Sequence, residues 1–176
     1  NGLWEAVAFQ GSTTSVFKRD SGEALYRRSM YTFWKRMAPP ATMDVFNAPS
    51  REVSCVRRER TNTPLQALAT LNDTQFVEAA RRLAENALIA AGGEDMKVVE
   101  NIIQRVLGRL PTQKERDILV KSSKDFLAHY TAHPDDASQL LAVGESKPLA
   151  AVAFPSLAAW TMVCNEVLNL DEVLNK

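Results

Sequence analysis

The sequence predicts an all-α fold, an irregular orthogonal bundle of about five to seven helices behind an extended N-terminal segment. Three observations lead there. Apolar residues recur at three- and four-residue spacings through most of residues 63–168. Helix-start and helix-stop chemistry brackets those stretches: Thr-Pro, two capping boxes and closing glycines. Long runs of alternating polar and apolar residues, the mark of half-buried strands, do not occur.

Residues 1–20 cluster Gly, Ser and Thr between Phe9 and Val16, which predicts an extended segment whose Leu3, Trp4, Phe9 and Phe17 pack onto something else. From Ser21 a stripe of Leu25, Ser29, Met30, Phe33, Trp34 and Met37, with Arg and Lys opposite, predicts a helix that Pro39-Pro40 ends. Residues 41–60 hold no good helix, and Val53-Ser54-Cys55-Val56 is at most a short strand. Thr63-Pro64-Leu65-Gln66 then opens a helix with a capping box, and its apolar side is Leu65, Leu68, Ala69 and Leu71. Asp73 caps the next, with Phe76, Ala80, Leu83, Ala87 and Ala90 at helical spacing and Gly92-Gly93 as the stop. A shorter helix turns Val98, Ile102, Ile103, Val106 and Leu107 inward and closes at Gly108.

Thr112 and Glu115 form a second capping box, for a helix running to about His133 that Pro134 ends. A short helix over 135–143, a turn over 144–148 and a last helix from near Phe154-Pro155-Ser156 complete the chain. The length suits one domain: 1–20 as an extended part of it and 21–176 as a single helical body.

Charge sums to zero, but unevenly. Residues 1–62 carry ten Lys and Arg against six Asp and Glu, leaving +4, and residues 63–176 carry eleven against fifteen, leaving −4. A nucleic-acid binder would show a stronger basic excess, so nucleic acid is not an expected partner. No apolar run approaches the roughly 20 residues of a membrane-spanning helix. Cys55 and Cys164 form no CxxC pair; they read as two buried small apolar side chains, or as a disulfide if the protein is exported. The chain starts without Met and carries no signal peptide, and so reads as a fragment whose targeting segment lies upstream.

The densest stretch is REVSCVRRERTNTPLQALATLND, residues 51–73. Arg51, Arg57, Arg58 and Arg60, with Asn62, are suited to gripping a carboxylate, sulfate or phosphate through forked guanidinium groups. The architectural reading comes first, with the arginines paired to Glu52, Glu59 and Asp44 while Asn62, Thr63 and Asn72 tie down turns, and anion recognition second. Trp34, Tyr31, Tyr26, Trp4 and Trp160 offer faces for sugar stacking, against plain core packing. His129 and His133, four apart near a helix end, share a face as metal ligands do; they are weak candidates without a third ligand, although Asp135-Asp136 follow directly. No GxSxG, glycine-rich phosphate loop, HExxH or CxxCH occurs, so the residues assign no catalytic group and no cofactor to this chain.

LYRRSMYTFWKRMAPP, FNAPSREVSCVRRERTNTPLQALATLND, FVEAARRLAE and VLGRLPTQKE, in this order, resemble the C-terminal planctomycete-type domain of unknown function. The resemblance runs from about Leu3 to the final LNLDE. It implies a module of a large exported multidomain protein, periplasmic or at the cell surface, whose partners are the other domains of the parent polypeptide, a cytochrome-c-like haem domain often among them. It implies no catalytic residue. Two functions emerge as expectations: a helical binding or scaffolding module, or part of an enzyme or substrate-binding unit acting on acidic or sulfated polysaccharide and coupled to haem elsewhere in the parent protein.

Overall fold

Helices supply the regular structure of residues 2–9, 11–35 and 37–175, the residues described by the computed structural model; among them there is no strand, only an isolated bridge from Lys35 to Ala38. The predicted all-α class holds. Contacts group the chain into two units, Asn1–Thr61 and Asn62–Lys176, so the division falls where the arginine-rich segment meets Thr63-Pro64.

The first unit starts with a short helix, α1 (Gly2–Ala6), where an extended segment was expected. Trp4 in α1 is the hub of this unit: its ring meets Phe17 at 5.4 Å and Phe33 at 5.5 Å, and its indole N–H donates to the Thr14 carbonyl at 2.8 Å. Lys35 Nζ sits 4.5 Å over the same ring and donates to the Trp4 carbonyl. The helix expected from Ser21 is not formed. Two 3₁₀ turns, Gly22–Tyr26 and Ser29–Tyr31, are separated by Arg27 and Arg28, whose ψ angles near 150° break any helical ladder. An amphipathic stripe becomes a helix when a partner surface buries it, and here Met30, Tyr31 and Phe33 remain exposed. A second short helix, α2 (Ala41–Val45), comes after Pro40. Residues 51–60 have no regular structure and every one is exposed, so the short strand at Val53–Val56 is absent too.

The second unit is built from α3 (Pro64–Asn72), α4 (Thr74–Ala91), α5 (Asp95–Leu107), α6 (Gln113–Ala132), α7 (Pro134–Leu141), α8 (Phe154–Leu168) and the single turn α9 (Asp171–Leu174). The starts obey local chemistry. Thr63 and Gln66 exchange bonds as a capping box, as do Thr112 and Glu115, and Asp73 accepts from the Gln75 N–H. Gly92 and Gly108 close α4 and α5 in left-handed geometry. Six helices have eight residues or more, within the expected range, and α1, α2 and α9 are short additions.

The central element is α8, buried on nearly every side and packed against α4, α6 and α7. Ala80, Ala84, Ala87 and Ala91 line α4 toward the core, and side chains this small let two helices approach closely. Val98, Val99, Ile102, Ile103 and Leu107 of α5 join Leu157, Trp160, Val163 and Val167 of α8 in that core.

Two expected faces and the expected burial of one cysteine are corrected. In α4, Ala90 is exposed and Phe76 and Leu83 only partly buried, so the inward stripe is rotated. In α3 the rotation is larger: Gln66 and Thr70 are buried while Leu65 and Leu68 are 56% and 58% exposed. Thr70 donates to Asn169 Oδ1 at 2.8 Å and Asn165 donates to the Leu71 carbonyl, so polar partners on and beside α8 select the inward face. Of the cysteines, Cys164 is buried and its thiol pKa pushed up by that burial, but Cys55 is exposed; both are free.

Candidate functional site: an exposed arginine arm and a buried ionic network

Backbone geometry sets Arg51 apart from the other arginines. Its φ of 66° is left-handed, an uncommon conformation for a residue with a long side chain. The guanidinium stands 5.1 Å over the Trp34 ring and donates to the Ser29 carbonyl at 3.1 Å and the Thr32 carbonyl at 3.3 Å. It is therefore an anchor that folds the segment back on itself, and Trp34 is its platform.

Arg57, Arg58 and Arg60 differ. All three are exposed, and among the described residues they make no hydrogen bond or ion pair, so the architectural network expected for them is not formed. Asn62 is occupied elsewhere, donating to Asp171 Oδ1 at 3.2 Å. Asn72 donates to the Leu68 carbonyl and only ties down the end of α3. The turn before the arm is held by Asn47, left-handed at φ 51°, whose amide donates to Thr61 Oγ1 at 2.7 Å. What is left is a ten-residue arm with one anchored and three unpaired guanidinium groups.

The aromatic candidates separate in the same way. Trp160 belongs to the core, Trp4 to the cluster around α1, and Trp34 to Arg51, while Tyr26 and Tyr31 are exposed. A groove of about 370 Å³ lies between α4 and α5, lined by Leu83, Asn86, Asn101, Gln104 and Arg105 among others; it includes none of the four arginines.

The structure also forms an ionic network that sequence reasoning missed. Arg81 is 0% exposed and Glu85 1%, inside the hydrophobic body. Arg81 donates to Glu85 at 3.1 Å and to the Ser146 carbonyl at 2.6 Å, and lies 3.8 Å from Glu78. Glu78 accepts from the Glu145 and Ser146 N–H groups and the Ser146 hydroxyl, and Glu85 from the Leu149 N–H and from Arg82. The network straps residues 144–149 onto α4. Gly144 permits the approach: its φ is 98°, and a Cβ there would fall on the Glu78 carboxylate. The available signal was the row Glu78, Arg81, Glu85, whose spacing sets three charges along one side of a helix that the alanines take into the core.

His129 and His133 do come together, with ring centroids 4.7 Å apart, and Asp136 lies beside them; all three are exposed at the corner between α6 and α7. Asp136 also helps burial push the Tyr130 phenol pKa up, with burial the larger cause. At the other end of α6, Arg109 forks to both Glu115 and Glu172, and the guanidinium beside Glu115 lowers that carboxyl from its ordinary 4.5 to about 2, helped by the Thr112 N–H.

No curated protein and no solved structure matches the chain. The family model for PSD1, protein of unknown function (DUF1553), matches residues 5–123. That span takes in the Trp4 neighbours, the arginine arm and the Glu78–Arg81–Glu85 row, and ends within α6. The arm and the α4 half of the buried network thus fall inside the matched region, while residues 144–149 lie beyond it, and the chain belongs to the PSD1 (DUF1553) family of proteins of unknown function.

Proposed function

We propose that the chain is a binding module of a larger exported multidomain protein. Residues 62–176 supply a stable helical body, and residues 51–60 an arginine arm that grips a sulfate- or carboxylate-bearing partner. The observation that carries this reading is the exposure of Arg57, Arg58 and Arg60 without protein partners among the described residues. Guanidinium groups left in water beside an anchored neighbour are free to form forked bonds with planar or tetrahedral anions. The unit that holds them has a net charge of +4, which favours such a partner at moderate ionic strength. An enzyme acting on acidic or sulfated polysaccharide would place several arginines, a carboxylate and an aromatic around one cavity, whereas the groove between α4 and α5 is lined by Leu83, two alanines, three amides and one arginine, Arg105.

The test is calorimetric titration of the chain with a sulfated dextran, with neutral dextran as the control. Wild-type protein is expected to bind the sulfated polymer alone, more weakly as salt rises. The triple substitution Arg57→Ala, Arg58→Ala, Arg60→Ala should lose at least about tenfold in affinity, and the triple change to Lys should restore only part of it because the forked geometry is gone. Equal affinity of wild type and the triple alanine variant would overturn the reading.

A further inference from the structure

Three nitrogen and oxygen donors meet where α6 turns into α7. His129 lies in the last turn of α6, His133 is the joint between the helices, and Asp136 lies in the first turn of α7. One donor atom from each residue lies within 4.8 Å of the other two, and His129 Nε2 is 3.5 Å from an Asp136 carboxylate oxygen. Two donors on one first-row metal ion stand roughly 3–3.5 Å apart when each bond is about 2.0–2.1 Å long. The His129–Asp136 spacing is close to that already. The remaining closure needs only rotation of exposed side chains.

The orientation of His133 is the more telling feature. Its Nδ1 lies 3.0 Å from the His129 carbonyl oxygen. A carbonyl only accepts, so the proton is on Nδ1, and in the neutral ring Nε2 carries the lone pair. An imidazole bonded through one nitrogen to a backbone carbonyl, with the other nitrogen open, is how metal-bound histidines are oriented. The same bond caps the end of α6, and it leaves Nε2 as the ring nitrogen open to a ligand. Pro134, at the first position of α7, restricts the joint that sets His133 against Asp136.

We propose that His129, His133 and Asp136 form a surface site for a divalent first-row transition metal ion, with water completing its shell. Two imidazoles and one carboxylate suit ions of the zinc class better than magnesium or calcium, which prefer all-oxygen shells. A bound ion would staple α6 to α7. The site is independent of the arginine arm and stands or falls without it.

The chain has only two histidines, so their Hε1 ring protons give two signals in a proton NMR spectrum. Tag-free protein carrying Cys55→Ser, which removes the exposed thiol as a competing ligand, is stripped with chelator and titrated with zinc ions. Both histidine signals should shift together and saturate at one equivalent. In calorimetry, His129→Ala and His133→Ala should each weaken zinc binding at least about tenfold. The helical circular dichroism should stay unchanged, because both rings are exposed. Movement of neither signal, or of one alone, overturns the proposal, and so does zinc binding that survives both substitutions, which would mark an adventitious ion only.

Discussion

Arg81 is held by partners on three sides and reaches no water, and those partners set the cost of removing it. Arg81→Met would leave Glu85 and Glu78 buried with less positive charge beside them, a change that typically costs about 3–5 kcal/mol. Urea denaturation should register it directly. Combining Arg81→Met with Glu85→Leu should cost less than the two separate losses added together, since the second change removes the stranded carboxylate. Gly144→Ala should destabilise by about 1–3 kcal/mol, because the left-handed backbone and the Glu78 carboxylate both oppose a Cβ. Neither residue stood out in the sequence. Arg81 reads as one more charge in EAARRLAE, and Gly144 as an ordinary turn glycine; the contact that gives each its weight comes from about sixty residues away along the chain.

Among elements, legibility tracks the range of the interactions that decide them. Both capping boxes span four residues, and both could be read and are formed. Thr63→Ala should therefore cost α3 about 1 kcal/mol, seen as a lower urea midpoint. The facing of α3 was not legible, since it depends on Asn165 and Asn169 about a hundred residues on. The lost helix after Ser21 has the same cause: periodicity was present, a burying partner was not. The start of α6 adds a pH prediction. The Glu115 carboxyl is held at about 2 in the folded chain against an ordinary 4.5, so its stabilising contribution is present above about pH 4.5 and disappears as pH falls toward 2. Glu115→Gln keeps a capping group but loses the Arg109 pair. Its stability deficit should be small near neutrality and vanish in the acid limb of a pH titration of urea midpoints.

On the scale of the whole molecule, two groups of arginines do different work. Buried Arg81 and partly exposed Arg82 hold the fold together through buried Glu85, while Arg57, Arg58 and Arg60 stand in water on a segment without regular structure. Trypsin should cut first among those exposed arginines and leave a fragment beginning near Asn62 that keeps most of the helical circular dichroism. The motif that marks residues 51–73 was legible as a motif, and the helix start within it was correctly separated from the arginines. Whether the arginines faced protein or solvent was not legible, because Glu52, Glu59 and Asp44 are close enough in sequence to have paired with them. The most direct measurement is the thermal unfolding of the triple variant Arg57→Ala, Arg58→Ala, Arg60→Ala beside wild type. An unchanged Tm is the predicted result, and a drop of several degrees would contradict the account by returning these arginines to the architecture.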